Sequence, residues 1–130
     1  MTIIAVDQDT RMLRQISELL AHHAEVMITT DFRKAMGWLE NNGSVAGLLV
    51  GETIRGESGV DVLKAARQLK PQVRRILITG YADLPGIVEG LHSGVIDRLL
   101  SKPLVPSELS AAVACLEPRT PTLAARPAIG

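Results

Sequence analysis

The sequence predicts an α/β fold: a five-stranded parallel sheet, doubly wound, with helices on both faces. Three observations carry that prediction. Five short apolar runs are spaced along the 130 residues. Each is followed by a stretch whose apolar residues recur at helical spacing. The junctions hold the capping residues, glycines and prolines at which such units start and stop.

The elements follow in order. "TIIAV" (2–6) is a β-branched run that reads as a buried strand. "RMLRQISELLAHH" (11–23) places Leu13, Ile16, Leu19 and Leu20 on one helical face, with Asp9 or Thr10 as N-cap. "EVMITT" (25–30) is the second strand, and "DFRKAMGWLENN" (31–42) is a helix opened by Asp31 and stopped at Asn42-Gly43. "VAGLLVG" (45–51) is the third strand. "GVDVLKAARQLK" (59–70) is a helix stopped by Pro71, with Val60, Leu63, Ala66 and Leu69 facing inward. "VRRILITG" (73–80) is the fourth strand. "DLPGIVEGLHSG" (83–94) is a helix capped by Asp83, with Pro85 tolerated in its first turn and Gly94 as its stop. "VIDRLLSK" (95–102) is the fifth strand, and "VPSELSAAVACLE" (105–117) closes with a helix that starts near Pro106. Residues 1–117 thus form one domain, and 118–130, with three prolines and no period, read as a tail or linker.

Composition excludes several function classes. Lys plus Arg and Asp plus Glu are both 14, so the formal net charge is zero. That argues against direct binding of nucleic acid or an anionic membrane surface. Phe32, Trp38 and Tyr81 are too scattered for a base-stacking platform. Cys115 is alone, which rules out an internal disulfide and a cysteine-rich metal site. No apolar run approaches the roughly 20 residues of a membrane span. The amino terminus lacks a basic region ahead of its apolar run, so a signal peptide is not expected and a cytoplasmic location is.

Ligands of an open doubly wound sheet meet the carboxyl ends of its strands. Those ends here are Asp7-Gln8-Asp9, Gly51-Glu52, Thr79-Gly80 and Ser101-Lys102-Pro103. Carboxylates suit a hard cation such as Mg²⁺. Hydroxyl and ammonium groups suit phosphoryl oxygens.

With "VDQD" after the first strand, "GESGVDVL" opening the third helix, "ILITGYADL" through the fourth strand and "LLSKPL" after the fifth, the chain resembles the receiver domains of bacterial response regulators. The resemblance implies a CheY-like, flavodoxin-type (βα)5 fold with strand order 2-1-3-4-5. It also implies an acidic pair that binds Mg²⁺, a phosphoacceptor aspartate ending the third strand, and a responding hydroxyl and lysine. Thr79 and Lys102 match the last two, and Lys102-Pro103 matches a bond that is cis in the family.

Other positions depart from the pattern. The phosphoacceptor lies five residues before the glycine of "GESG", which is Gly51 here. Asp7 matches the first acid of the pair, but Gln8 stands at the second. Arg55 replaces a usual proline, and Leu99 a usual switch aromatic. The implied protein is a degenerate receiver, non-enzymatic and independent of phosphorylation. It would signal through the face of helix four, strand five and helix five, roughly residues 83–117, including Leu84, Ile87, Leu91, Arg98, Leu99 and Glu108. Expected partners are an output domain of its own, a sensor kinase, another regulator or a second copy. No cofactor is expected; Asp7 and Asp9 could hold Mg²⁺ weakly at best, against a plainer arrangement in which Asp7 pairs with Lys102 and Asp9 caps helix one.

Two alternatives remain at this point: phosphorylation on a non-standard acid such as Glu52 or Asp9, and a small ligand-binding flavodoxin-like domain. Strand alternation points Glu52 away from the Gly51 position, so it reads as a solvated loop acid. No glycine-rich phosphate loop follows the first strand. No His or Cys lies near the strand ends as an evident base or nucleophile. His22 and His23 are read as ending helix one, His92 as a surface residue and Cys115 as a small packing residue.

Overall fold

Alternation along the strands sets the layers. In β1 (Thr2–Val6), Ile3 and Ala5 join one apolar cluster, and Ile4 and Val6 the other. The same division separates Leu49 from Leu48 and Val50 in β3 (Val45–Gly51). It separates Ile76 and Ile78 from Leu77 in β6 (Arg74–Thr79). With β2 (Glu25–Thr29) and β7 (Arg98–Ser101), these strands form one parallel sheet in the order β2-β1-β3-β6-β7. Numbered among sheet strands alone, that is 2-1-3-4-5, as expected. The computed structural model describes residues 1–54, 56–81 and 84–116.

Helices cover both faces. On one side, α1 (Thr10–Leu20) buries Met12, Leu13, Ile16 and Leu20, beside Leu109, Ala112 and Val113 of α5 (Pro106–Ala114). On the other side, α2 (Phe32–Asn41), α3 (Gly59–Leu69) and α4 (Pro85–His92) contribute Ala35, Leu39, Val62, Leu63, Ala66 and Ile87. Each buried aliphatic of leucine size contributes roughly 1.5–3 kcal/mol by leaving water.

Local chemistry explains the termini. Asp9 Oδ1 accepts from the backbone N–H of Arg11 and Met12, and Asp31 Oδ1 from Arg33 N–H, as expected of N-caps. Helix α4 differs from expectation: its N-cap is Leu84, not Asp83, which lies outside the described residues. Pro85 holds the preceding residue extended, with ψ of 139° at Leu84, so the helix starts only at the proline. Gly94, at φ 81°, ends that segment as expected. The helix-three stripe also needs correction: Val62 is buried, whereas Leu69 is 41% exposed. Helix α1 ends at Leu20, ahead of His22 and His23, which sit exposed in the following turn. Cys115 is exposed rather than packed, its Sγ 3.4 Å from a guanidinium nitrogen of Arg98.

Two features were not anticipated. A two-residue hairpin, β4 (Thr53–Ile54) with β5 (Glu57–Ser58), turns through Gly56 at φ 85°. Two-residue strands are too short to show a period, and Ile54, fully buried, anchors this one. At the opposite end of the sheet, Arg75 is only 6% exposed. Its guanidinium donates to the carbonyls of Val95 (2.9 Å), Gly94 (3.1 Å), Val73 (2.9 Å) and Pro71 (3.1 Å), and lies 3.5 Å from Asp97 Oδ2. Arg67 donates to Ser93 O at 3.0 Å. Three consecutive carbonyls beyond α4 are therefore held by arginines. Arg75→Met should lower the unfolding free energy by about 3 kcal/mol in urea titration, because it strands buried carbonyls and the Asp97 charge. Arg74→Met, at a neighbouring exposed position, should change it little; equal effects would refute the clamp.

Candidate functional site

Sheet register builds the site. Val6 pairs with Val50 across β1 and β3, so one step further places Asp7 beside Gly51 with side chains on the same face. Asp7 is 1% exposed. Its Oδ1 accepts from Asp9 N–H at 2.8 Å, which shapes the turn into α1. Its Oδ2 lies 3.2 Å from Lys102 Nζ, an ion pair not aligned as a hydrogen bond. Lys102 reaches it from the end of β7, where the Lys102-Pro103 peptide is cis.

Gly51 is buried, and the space a side chain would need there is taken. A β-carbon at residue 51 would overlap Asp7 Oδ2 and come within 2.6 Å of Asp7 Cγ. Gly59 has a matching role: a β-carbon there would overlap the Gly51 carbonyl oxygen. Its absence lets α3 start directly against the end of β3, with Gly59 N–H donating to Glu52 O at 2.8 Å.

Glu52 departs from expectation. Its backbone N–H donates to Ile78 O at 3.1 Å, and its carboxylate accepts from the Thr79 hydroxyl. The alternation argument was sound in placing Glu52 and Gly51 on opposite faces. It failed in leaving Glu52 to solvent, because the neighbouring strand has the same alternation. Gly51 pairs with Ile78, so the next step sets Glu52 beside Thr79. Thr79 is 2% exposed and its Oγ1 also accepts from Tyr81 N–H at 2.9 Å.

The four strand ends thus converge as the sequence implied. Gln8, Glu52, Thr53, Gly80, Tyr81 and Lys102 line an open cleft of about 410 Å³. Tyr81 itself is 63% exposed. The donor set fits Mg²⁺ poorly. That ion asks for a near-octahedral shell of hard oxygens, and Lys102 Nζ already lies 3.2 Å from Asp7 Oδ2. Asp9 is turned away to cap α1. Among the described residues, no three His, Cys, Asp or Glu side chains gather as a metal nest.

Of the face formed by α4, β7 and α5, Leu84 (44%) and Leu91 (36%) are exposed, as is Glu108, while Arg98 and Leu99 are half-buried. Ile87 is buried at 3% and belongs to the core, not to that surface, because it is on the inner side of α4. Among the described residues, no helix is long and apolar enough to cross a membrane.

Comparison with known proteins agrees with this geometry. Residues 3–114 match the family described as response regulator receiver domain. The chain is 32% identical over 108 residues to the hydrogenase transcriptional regulatory protein HoxA of Bradyrhizobium diazoefficiens, covering 83% of this chain and 22% of that protein. It is 30% identical to the response regulator protein TmoT of Ectopseudomonas mendocina, covering 85% of this chain and 50% of that one. The chain therefore spans between about a fifth and a half of these relatives. Among solved structures, a CheY-like response regulator receiver domain protein from Methanospirillum hungatei superposes with TM-score 0.79 at 28% identity, covering 87% of this chain and 90% of that one. With a family match across nearly its whole described length, the chain belongs to the response regulator receiver domain family.

Proposed function

We propose that this receiver domain of a two-component system works without phosphorylation and transmits its signal by protein contact. The observation that carries the reading is the buried glycine at residue 51, whose side-chain space is filled by Asp7. Glycine offers no oxygen to esterify. Lys102, the cation that would meet a phosphoryl oxygen, is already neutralised by Asp7 at 3.2 Å. Gln8 supplies no charge for a cation. The domain is non-enzymatic in this reading, needs no cofactor and acts in the cytoplasm. Its contact surface is the α4–β7–α5 face, with Leu84, Leu91, Arg98, Leu99 and Glu108. Partners would be an output domain of the same protein, a sensor kinase, another regulator or a second copy. In this reading the domain proper spans 1–117, and 118–130, which lie outside the described residues, form a tether. Arg55, at the family's proline position, lies outside them too.

Glu52 faces the cleft, so transfer to that acid is the reading to separate from this one. Incubation with Mg²⁺ and acetyl phosphate should leave the intact mass unchanged. A stable phosphoryl adduct on Glu52 or Asp9 would instead establish the non-standard acceptor. Gly51→Ala should cost roughly 1–3 kcal/mol in equilibrium unfolding, the usual cost of overpacking a filled core site. Gly51→Asp combined with Gln8→Asp should acquire Mg²⁺-dependent labelling, with Asp7 rotating off Lys102 to admit the new carboxylate. A double variant that folds but never labels would show that the block lies elsewhere than residue 51.

A further inference from the structure

Both groups that the family brings to a phosphoryl oxygen already face a carboxylate of this chain. Lys102 meets Asp7 and Thr79 meets Glu52. We propose that Glu52 is a built-in stand-in for the phosphoryl group: its carboxylate holds the Thr79 hydroxyl, and Thr79 in turn holds the backbone of Tyr81. The inference rests on the phosphorylation-independent reading above and specifies how the site is regulated.

Glu52 is suited to that position by three contacts on two elements, β6 and α3. Its N–H donates to Ile78 O on β6, and its carbonyl accepts from Gly59 N–H at the start of α3. Its side chain receives the Thr79 O–H. The first two fix the backbone, so the carboxylate loses little freedom in reaching Thr79. Because its proton goes to Glu52, Thr79 Oγ1 has its lone pairs free to accept, and it takes the Tyr81 N–H at 2.9 Å. Lys102 N–H also donates to Thr79 O at 3.1 Å, which ties the end of β7 to the same residue. Three residues past Tyr81, Leu84 caps α4, and Leu84 N–H donates to Tyr81 O at 3.2 Å. A chain of hydrogen bonds therefore runs from Glu52 through Thr79 and Tyr81 to the N-cap of α4. A carboxylate is a sound substitute for this purpose: it is anionic, and a charge-assisted hydrogen bond to it is stronger than one to a neutral oxygen.

The switch state is thereby set by sequence. The backbone of the exposed Tyr81 and the N-cap of α4 would hold one arrangement whether or not a phosphodonor is present. The test uses the whole chain and compares wild type, Glu52→Ala and Glu52→Gln by amide hydrogen exchange. Glu52→Ala should speed exchange of the Tyr81 and Leu84 amides at least tenfold and leave Val50 and Leu77 unchanged. Glu52→Gln, which retains an oxygen acceptor, should stay within about threefold of wild type. A three-bond coupling measurement should show Thr79 χ1 fixed in wild type and averaged in Glu52→Ala. Unchanged Tyr81 exchange together with unchanged Thr79 χ1 in folded Glu52→Ala would overturn the proposal. Should that variant fail to fold, a folded Thr79→Val chain with Tyr81 exchange as slow as in wild type would overturn it equally. Wild-type labelling by acetyl phosphate is a separate readout, and its appearance would refute the underlying functional reading regardless of the exchange result.

Discussion

The close approach of Asp7 to the backbone of Gly51 governs the rest of the cleft. Parallel strands in register force neighbouring side chains to share a face, and at the ends of β1 and β3 only one of the two positions has a side chain. Asp7 takes the vacated space and is buried at 1% exposure. A carboxylate at that depth needs compensation, because desolvating a charge is far costlier than desolvating a neutral group. Asp9 N–H and Lys102 supply it. Lys102 and the turn into α1 thus brace the carboxylate that fills the space beside residue 51.

The second acid obeys the same register from the other side. Glu52 is one step past Gly51 and so falls beside Thr79 on the face shared with Val50 and Leu77. The two carboxylates are next to each other in space of function but not of structure. Asp7 belongs to the α1 and α5 side of the sheet, Glu52 to the α3 and α4 side. The cleft is closed electrostatically from both faces, and neither closure needs a ligand.

Much of this was legible in the residues. The sheet follows from strand length and alternation, and its order and the meeting of the strand ends from the resemblance in spacing. The Asp7–Lys102 pair and the Asp9 cap are local consequences of charge and turn chemistry. What escaped was of two kinds. The Glu52–Thr79 contact was inferable in principle, but it requires the register between two strands, and alternation within a single strand carries no such information. The Arg75 clamp was not inferable, because an arginine inside an apolar strand gives no sign of which distant carbonyls it will meet. The start of α4 was misplaced because the cap preference of Asp83 was weighed above the constraint Pro85 puts on Leu84. Ile87 was assigned to the surface because the inner side of a short, glycine-containing helix is poorly marked by its sequence.

The arginines beneath α4 have a mechanical consequence. Ser93, Gly94 and Val95 offer their carbonyls to Arg67 and Arg75, and Arg75 is itself braced by Asp97. The carboxyl end of the helix is thus firmly held, while its N-cap, Leu84, donates to Tyr81 O at the amino end. Eight helical residues make a lever of about 12 Å. A swing of this helix about that foot would grow in amplitude toward Leu84, so its tip would travel farther than its base.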